Sequence, residues 1–107
     1  MNSHSTVRII RLHPGNLELA LATFTTIAEV FDEDHAPLSE GYRQRLLERD
    51  DFWAYAALVG DEVVGGLTAH TLLLTRIEQA ELFIYDIGVC ADHQRAGIGR
   101  QLVHQLR

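Results

Sequence analysis

Apolar and polar positions alternate in part along residues 7–12, Val-Arg-Ile-Ile-Arg-Leu, a short β-branched run that predicts a first strand. His13, Pro14, Gly15 and Asn16 punctuate it, and Asn16 is placed to cap a helix beginning at the next residue. From Leu17 the apolar residues fall at 17, 21, 24, 28 and 31, the spacing of one helix face. Thr23, Thr25 and Thr26 lower the helix propensity without disturbing that period, and the helix is expected to end by Phe31 or Asp32. Residues 32–37 are an acidic loop closed by Pro37, which a helix does not cross readily. Ser39 then offers a cap for a second helix reaching about residue 49, with Tyr42 and Leu46 on one face.

The pattern changes at Phe52. Residues 52–59 are a near-continuous apolar run, suited to a strand buried on both faces. Gly60, Asp61 and Glu62 make a tight turn into residues 63–74, the expected antiparallel partner. Gly65 and Gly66 inside that partner indicate a bulge or a close backbone approach. A looser connection over 75–80 leads to a strand at 81–89, a glycine-punctuated turn, and a helix carrying Leu102, Val103 and Leu106 inward. The order β, α, α, β, β, β, α argues for an α+β fold with a mostly antiparallel sheet, and against a doubly wound one.

Composition narrows the function classes. At 107 residues the chain is expected to form one domain over 1–107. An apolar fraction of 47% with 22% charged residues fits a globular core. No apolar run approaches the ~20 residues a membrane span needs, and the first residues lack the features of a secretory leader. The one cysteine, Cys90, has no internal partner and suits a reducing compartment, so a cytoplasmic protein is expected. Fifteen acidic against nine basic residues, a net charge of −6, argue against nucleic acid and are compatible with a cationic small molecule. The six histidines show no metal-ligand spacing, and no metal is expected.

Chemistry concentrates in residues 81–106. An apolar strand enters the turn Gln94-Arg95-Ala96-Gly97-Ile98-Gly99-Arg100 and leaves as a helix. Such a turn aims unpaired backbone N–H groups at one spot, where the helix dipole also favours negative charge. The third glycine of a dinucleotide fingerprint is missing, as is the Gly-Lys-Ser/Thr ending of a P-loop. The run does resemble the acyl-CoA signature of the GNAT superfamily of N-acetyltransferases, (Gln/Arg)-x-x-Gly-x-(Gly/Ala). Within that superfamily, residues 83–89 (Phe-Ile-Tyr-Asp-Ile-Gly-Val) and 93–98 look similar to aminoglycoside 3-N-acetyltransferases of the gentamicin-resistance type. Phe31, Asp32, Pro37 and the turn at 61–65 add to that likeness, which runs from about residue 7.

The resemblance implies a GNAT fold and a set of roles. Gln94, Arg95, Ala96, Gly97, Ile98, Gly99 and Arg100 would cradle the pyrophosphate of acetyl-CoA. Ile87, Gly88 and Val89 would hold the thioester arm through backbone groups, one N–H polarising the acetyl carbonyl. Asp86 would bind the acceptor ammonium and take its proton, so that the free amine attacks directly within a ternary complex. The implied acceptor is a cationic aminoglycoside, and a homodimer is expected. Two alternatives stay open: a GNAT enzyme for another amine (polyamine, peptide or amino acid), or a non-catalytic acyl-CoA-binding module. Tyr85 is expected in the core, Cys90 as structural, and the acidic run at 32–34 as a solvated face. The superfamily continues beyond the glycine-turn helix with further strands and a helix. A C-terminally incomplete fold with little transferase activity of its own is therefore expected of residues 1–107.

Overall fold

The structure is a computed structural model, and it describes residues 6–33 and 36–106. Its centre is the near-continuous apolar run, which forms strand β2 (Phe52–Val59). Two neighbours cover its edges: β1 (Val7–Arg11) and β3 (Glu62–Leu73), both antiparallel to it. Strand β4 (Ala80–Val89) pairs with β3, giving a four-stranded antiparallel sheet in the order β1-β2-β3-β4. Alternation along β2 then sorts its side chains into two cores. Phe52, Ala54, Ala56 and Leu58 pack with Leu12, Ala20 and Leu47 on one face. Tyr55 and Ala57 pack with Leu67, Ala69, Ile98 and Leu102 on the other.

Helices α1 (Leu17–Val30) and α2 (Glu40–Leu47) cover the first face, and α3 (Ile98–His104) covers the second. Ser39 caps α2 as expected, its hydroxyl accepting from the Tyr42 N–H at 3.2 Å. Asn16 precedes α1, but its side chain accepts from the His13 N–H at 2.8 Å and closes the preceding turn instead. The end of α1 is set by Asp32, whose φ of 54° lies in the left-handed region. The Asp32 N–H donates to the Glu29 carbonyl and the Glu33 N–H to the Ala28 carbonyl, the paired bonds of a Schellman stop. Asp34 of the expected acidic loop lies outside the described residues.

The periodicity located both early helices; Leu17, Phe24 and Leu46 of the faces it picked out pack part-buried on the core, while the fully buried positions lie beside them. The α1 residues buried against the sheet are Ala20, Thr23, Thr26 and Ile27, not the stripe 17, 21, 24, 28 and 31. The Thr23 and Thr26 hydroxyls donate to the Leu19 and Ala22 carbonyls at 2.8 Å, so these side chains present methyl groups to the core at no polar cost. Leu21, Phe24 and Ala28 instead line a groove beneath Ala36, Pro37 and Leu38. In α2 the buried residues are Arg43 and Leu47, while Tyr42 and Leu46 border a groove. Arg43 is buried because its guanidinium donates to the Leu38 and Leu17 carbonyls at 3.1 and 2.6 Å, tying α2 to α1.

The glycine pair in β3 serves close approach on both sides. A Cβ on Gly65 would stand 2.7 Å from the Gly88 carbonyl oxygen of β4. A Cβ on Gly66 would stand 2.5 Å from Thr23 Cγ2 and 3.1 Å from Ile27 Cδ1 of α1. The register also shifts beside them, leaving Val64 as an extra residue between the Leu58–Val63 and Ala57–Gly65 pairs. Gly66→Ala is therefore expected to lower stability in urea denaturation by about 1–3 kcal/mol through overpacking. Adding Thr23→Ser, which deletes the offending methyl, should restore part of the loss. Wild-type stability in the single variant would contradict this packing.

Candidate active site

Strand β4 passes between the two cores, and its register with β3 decides which side each residue faces. Thr68 pairs with Asp86, but Ala69 pairs with Ile84, so Tyr85 is an extra residue in a β-bulge. Ile84 and Ile87 both pack in the α3-side core, and the bulge leaves Tyr85 and Asp86 together on the opposite face. There the Thr68 hydroxyl donates to Asp86 Oδ2 at 3.1 Å, and Asp86 is half-buried. Thr68, His70 and Tyr85 from the sheet face Phe24 of α1 and Tyr42 and Leu46 of α2 across a groove. Tyr85 is thus a groove residue, exposed over two thirds of its surface, and not the core residue expected of it.

Beyond Asp86 the strand alternates between the two faces again. Ile87 and Val89 direct their side chains into the α3-side core, while Gly88 lies against Val30 of α1. A Cβ on Gly88 would lie 3.3 Å from Val30 Cγ1, so the position leaves little room for a side chain. Strand β4 is an edge of the described sheet, so backbone groups on its outer side have no strand partner there.

Beyond Val89 the chain makes a short 3₁₀ turn (Ala91–His93) and enters the glycine loop. The Gln94 side-chain amide donates to the Val89 carbonyl at 3.0 Å, folding the loop back onto the end of the strand. Arg95 and Gly97 both have left-handed backbones, with φ of 70° and 80°. Two such residues within three positions turn neighbouring N–H groups toward one side, as an anion nest does. Among the described residues, the amides of residues 95–100 have no backbone acceptor outside α3, and the first turn of a helix supplies none. These amides sit beside a depression of about 580 Å³ bordered by His93, Gln94, Arg95, Gly97, Gly99 and Arg100. Buried Ile98 and Leu102 anchor the loop from below, and the first turn of α3 carries no acid. Of the sequence-predicted loop residues, Gln94, Arg95, Gly97, Ile98, Gly99 and Arg100 border this depression and Ala96 does not, with exposed Arg95 and Arg100 adding positive charge.

Two features of the site were not anticipated from the sequence: the bulge at Tyr85 and the groove-facing His70. The first left a trace. Apolar residues fall at Leu82 and Ile84, then at Ile87 and Val89, and that slip from even to odd positions marks the extra residue.

Cys90 follows β4 immediately, with its N–H donating to the Val64 carbonyl at 2.8 Å. Burial, reinforced by Glu62, Glu29 and Asp92, pushes its thiol above the ordinary cysteine range. A raised thiol pKa keeps the neutral form at pH 7–8, which is wrong for a nucleophile. Alkylation by iodoacetamide at pH 8 is expected to run slower than that of a free cysteine-containing peptide and to accelerate only at higher pH. Modification as fast as the peptide's would contradict this environment.

Comparison with known proteins agrees with the geometry. Residues 17–107 match the model of the GNAT acetyltransferase family. No curated protein matches the chain. Among solved structures, an aminoglycoside acetyltransferase from an uncultured soil metagenomic sample is 34% identical, with a TM-score of 0.86. The alignment covers 94% of this chain and 69% of that one. A second aminoglycoside acetyltransferase of soil metagenomic origin, solved in complex with sisomicin, is 29% identical with a TM-score of 0.86. It is matched over 94% of this chain and 66% of its own, so the chain spans about two thirds of these relatives. The aminoglycoside N-acetyltransferase AAC(6')-Iy, in complex with a bisubstrate CoA analogue, shares the fold at 15% identity and a TM-score of 0.76. Its alignment covers 95% of this chain and 69% of that one. With the strand, the bulge and the glycine loop in this arrangement, the chain belongs to the GNAT acetyltransferase family.

Proposed function

We propose that this chain carries the cofactor loop and acceptor wall of an aminoglycoside N-acetyltransferase that moves acetyl from acetyl-CoA to the 3-amino group. The observation that carries the reading is the position of Asp86. It is a half-buried carboxylate on the groove face of β4, one residue before Ile87, whose side chain packs on the α3 side. The soil-derived relatives support the acceptor class, since one of them was solved with an aminoglycoside bound.

The residues divide the work along β4. The free amides of residues 95–100 suit the pyrophosphate of CoA, with the Gln94 side chain closing the loop, and the dipole of α3 adds to the attraction. The outer backbone groups of Ile87 and Val89, on either side of Gly88, hold the thioester arm, with an N–H available to the acetyl carbonyl. On the other face Thr68 fixes one oxygen of Asp86, leaving Oδ1 for the incoming ammonium. An aminoglycoside amine arrives mostly protonated, so Asp86 first attracts the cation and then accepts its proton, directly or through water. The deprotonated nitrogen attacks the acetyl carbonyl and the thiol departs, with no acyl-enzyme and no part for Cys90.

Steady-state thiol release with acetyl-CoA and sisomicin tests this reading. Asp86→Asn keeps the shape and removes the base, so kcat/KM should fall by about 10²- to 10⁴-fold while CoA affinity is unchanged. Unimpaired transfer by the variant would refute the role of Asp86. A product acetylated at another nitrogen, read by NMR, would refute the 3-N assignment.

A further inference from the structure

Tyr85 is the groove residue next to Asp86 in the chain, and the proton chemistry leaves it unused. It is 68% exposed, yet the bulge turns it onto the groove face, beside Asp86. Its ring meets His70 edge-on at 6.0 Å and 86°. His70 packs at 5.2 Å on Phe52, which is buried and meets Phe24 of α1 at 6.4 Å. Tyr85, His70 and Phe52 make one continuous aromatic wall on the sheet, anchored in the core at Phe52, where Phe24 of α1 meets it, and open to solvent at Tyr85. Tyr42 of α2 faces it across a cavity of about 480 Å³.

A mostly aromatic wall with a few converging polar groups is the make-up of a small-molecule site. Here the polar groups are the Thr68 hydroxyl and the His70 imidazole, with the Asp86 carboxylate held beside the groove by Thr68. A saturated ring bearing an amine meets both halves at once. Its C–H face lies on Tyr85, and an ammonium at its edge reaches Asp86. A linear polyamine satisfies the carboxylate but has no face to cover the wall, so it gains little from the rings. Packing against His70 restricts the Tyr85 ring before the ligand arrives, which lowers the ordering cost on binding.

We infer that Tyr85, braced by His70, selects amines carried on saturated rings, such as aminosugars and aminocyclitols, over linear polyamines. The inference rests on the reading of Asp86 as the acceptor-side base. Isothermal titration calorimetry of the chain with sisomicin and with spermidine tests it. Wild type should prefer sisomicin. Tyr85→Leu should weaken sisomicin by about tenfold and leave spermidine within about twofold. Tyr85→Phe, which keeps the ring, should hold sisomicin within about twofold of wild type. Because Tyr85 is exposed, thermal melts of both variants should match wild type.

Equal losses for both ligands in Tyr85→Leu, no loss for either, or a wild-type chain that binds neither or prefers spermidine would overturn the inference. Thiol release measured on the same samples keeps the two proposals apart. Ring-selective binding by wild type together with unimpaired thiol release in Asp86→Asn would sink the reading of Asp86 as the base and leave the selectivity of Tyr85 standing.

Discussion

Between Thr68 and Ala69, β3 advances by one residue while β4 runs from Asp86 to Ile84, and that surplus residue sets the geometry of everything around it. Strict alternation from Ile84 would send Asp86 into the apolar α3-side core, where an ionised carboxylate without a partner is heavily penalised. The bulge turns it to the other face, within reach of the Thr68 hydroxyl and beside the aromatic groove. Downstream of the bulge the alternation resumes in the opposite phase, so Ile87 and Val89 reach the core that holds α3. One extra residue thus puts the Asp86 carboxylate on the groove face and the side chains of Ile87 and Val89 on the α3 face.

The rest of the fold keeps that strand where it is. Gly65 lets β4 approach β3 at the Gly88 carbonyl, and Gly66 lets α1 settle onto the sheet at Thr23. Buried Arg43 ties α2 to the carbonyls of Leu17 and Leu38, which fixes the helical wall opposite Tyr85. On the far side Ile98 and Leu102 seat α3 against β2 and β3, and Gln94 closes the loop onto Val89. Each of these contacts is short-range. Together they determine where the loop amides and the Asp86 carboxylate lie along one strand.

The strands and the loop were legible because their signals are local. A run such as Phe52–Val59 has no other stable place than the middle of a two-faced sheet, and it forms β2 with the anticipated bounds. Gly65 and Gly66 announced a close approach, and the glycines at 97 and 99 announced the tight turn between strand and helix. Helix faces were harder, because hydropathy scores threonine as polar. Thr23 and Thr26 satisfy their hydroxyls within their own helix and so belong to the core, while the more apolar Leu21, Phe24 and Ala28 turn to a groove. Asn16 illustrates the same limit, since the pattern marks a capping residue without saying which N–H its oxygen takes, here that of His13 in the preceding turn. Tyr85 was misplaced because Phe83 and Tyr85 blur the phase slip that the aliphatic residues of β4 carry. Which face a residue takes is a property of the register, and register depends on the partner strand.

The central claim is that β4 separates two sites that meet at Asp86 and Ile87. Amide chemical-shift mapping of the isotopically labelled chain tests this most directly. Titration with CoA should perturb residues 87–100 and leave Thr68, His70 and Tyr85 unmoved, while sisomicin should perturb those three with Asp86 and spare the glycine loop. Perturbation of the glycine loop by sisomicin, or of the aromatic groove by CoA, would contradict the account.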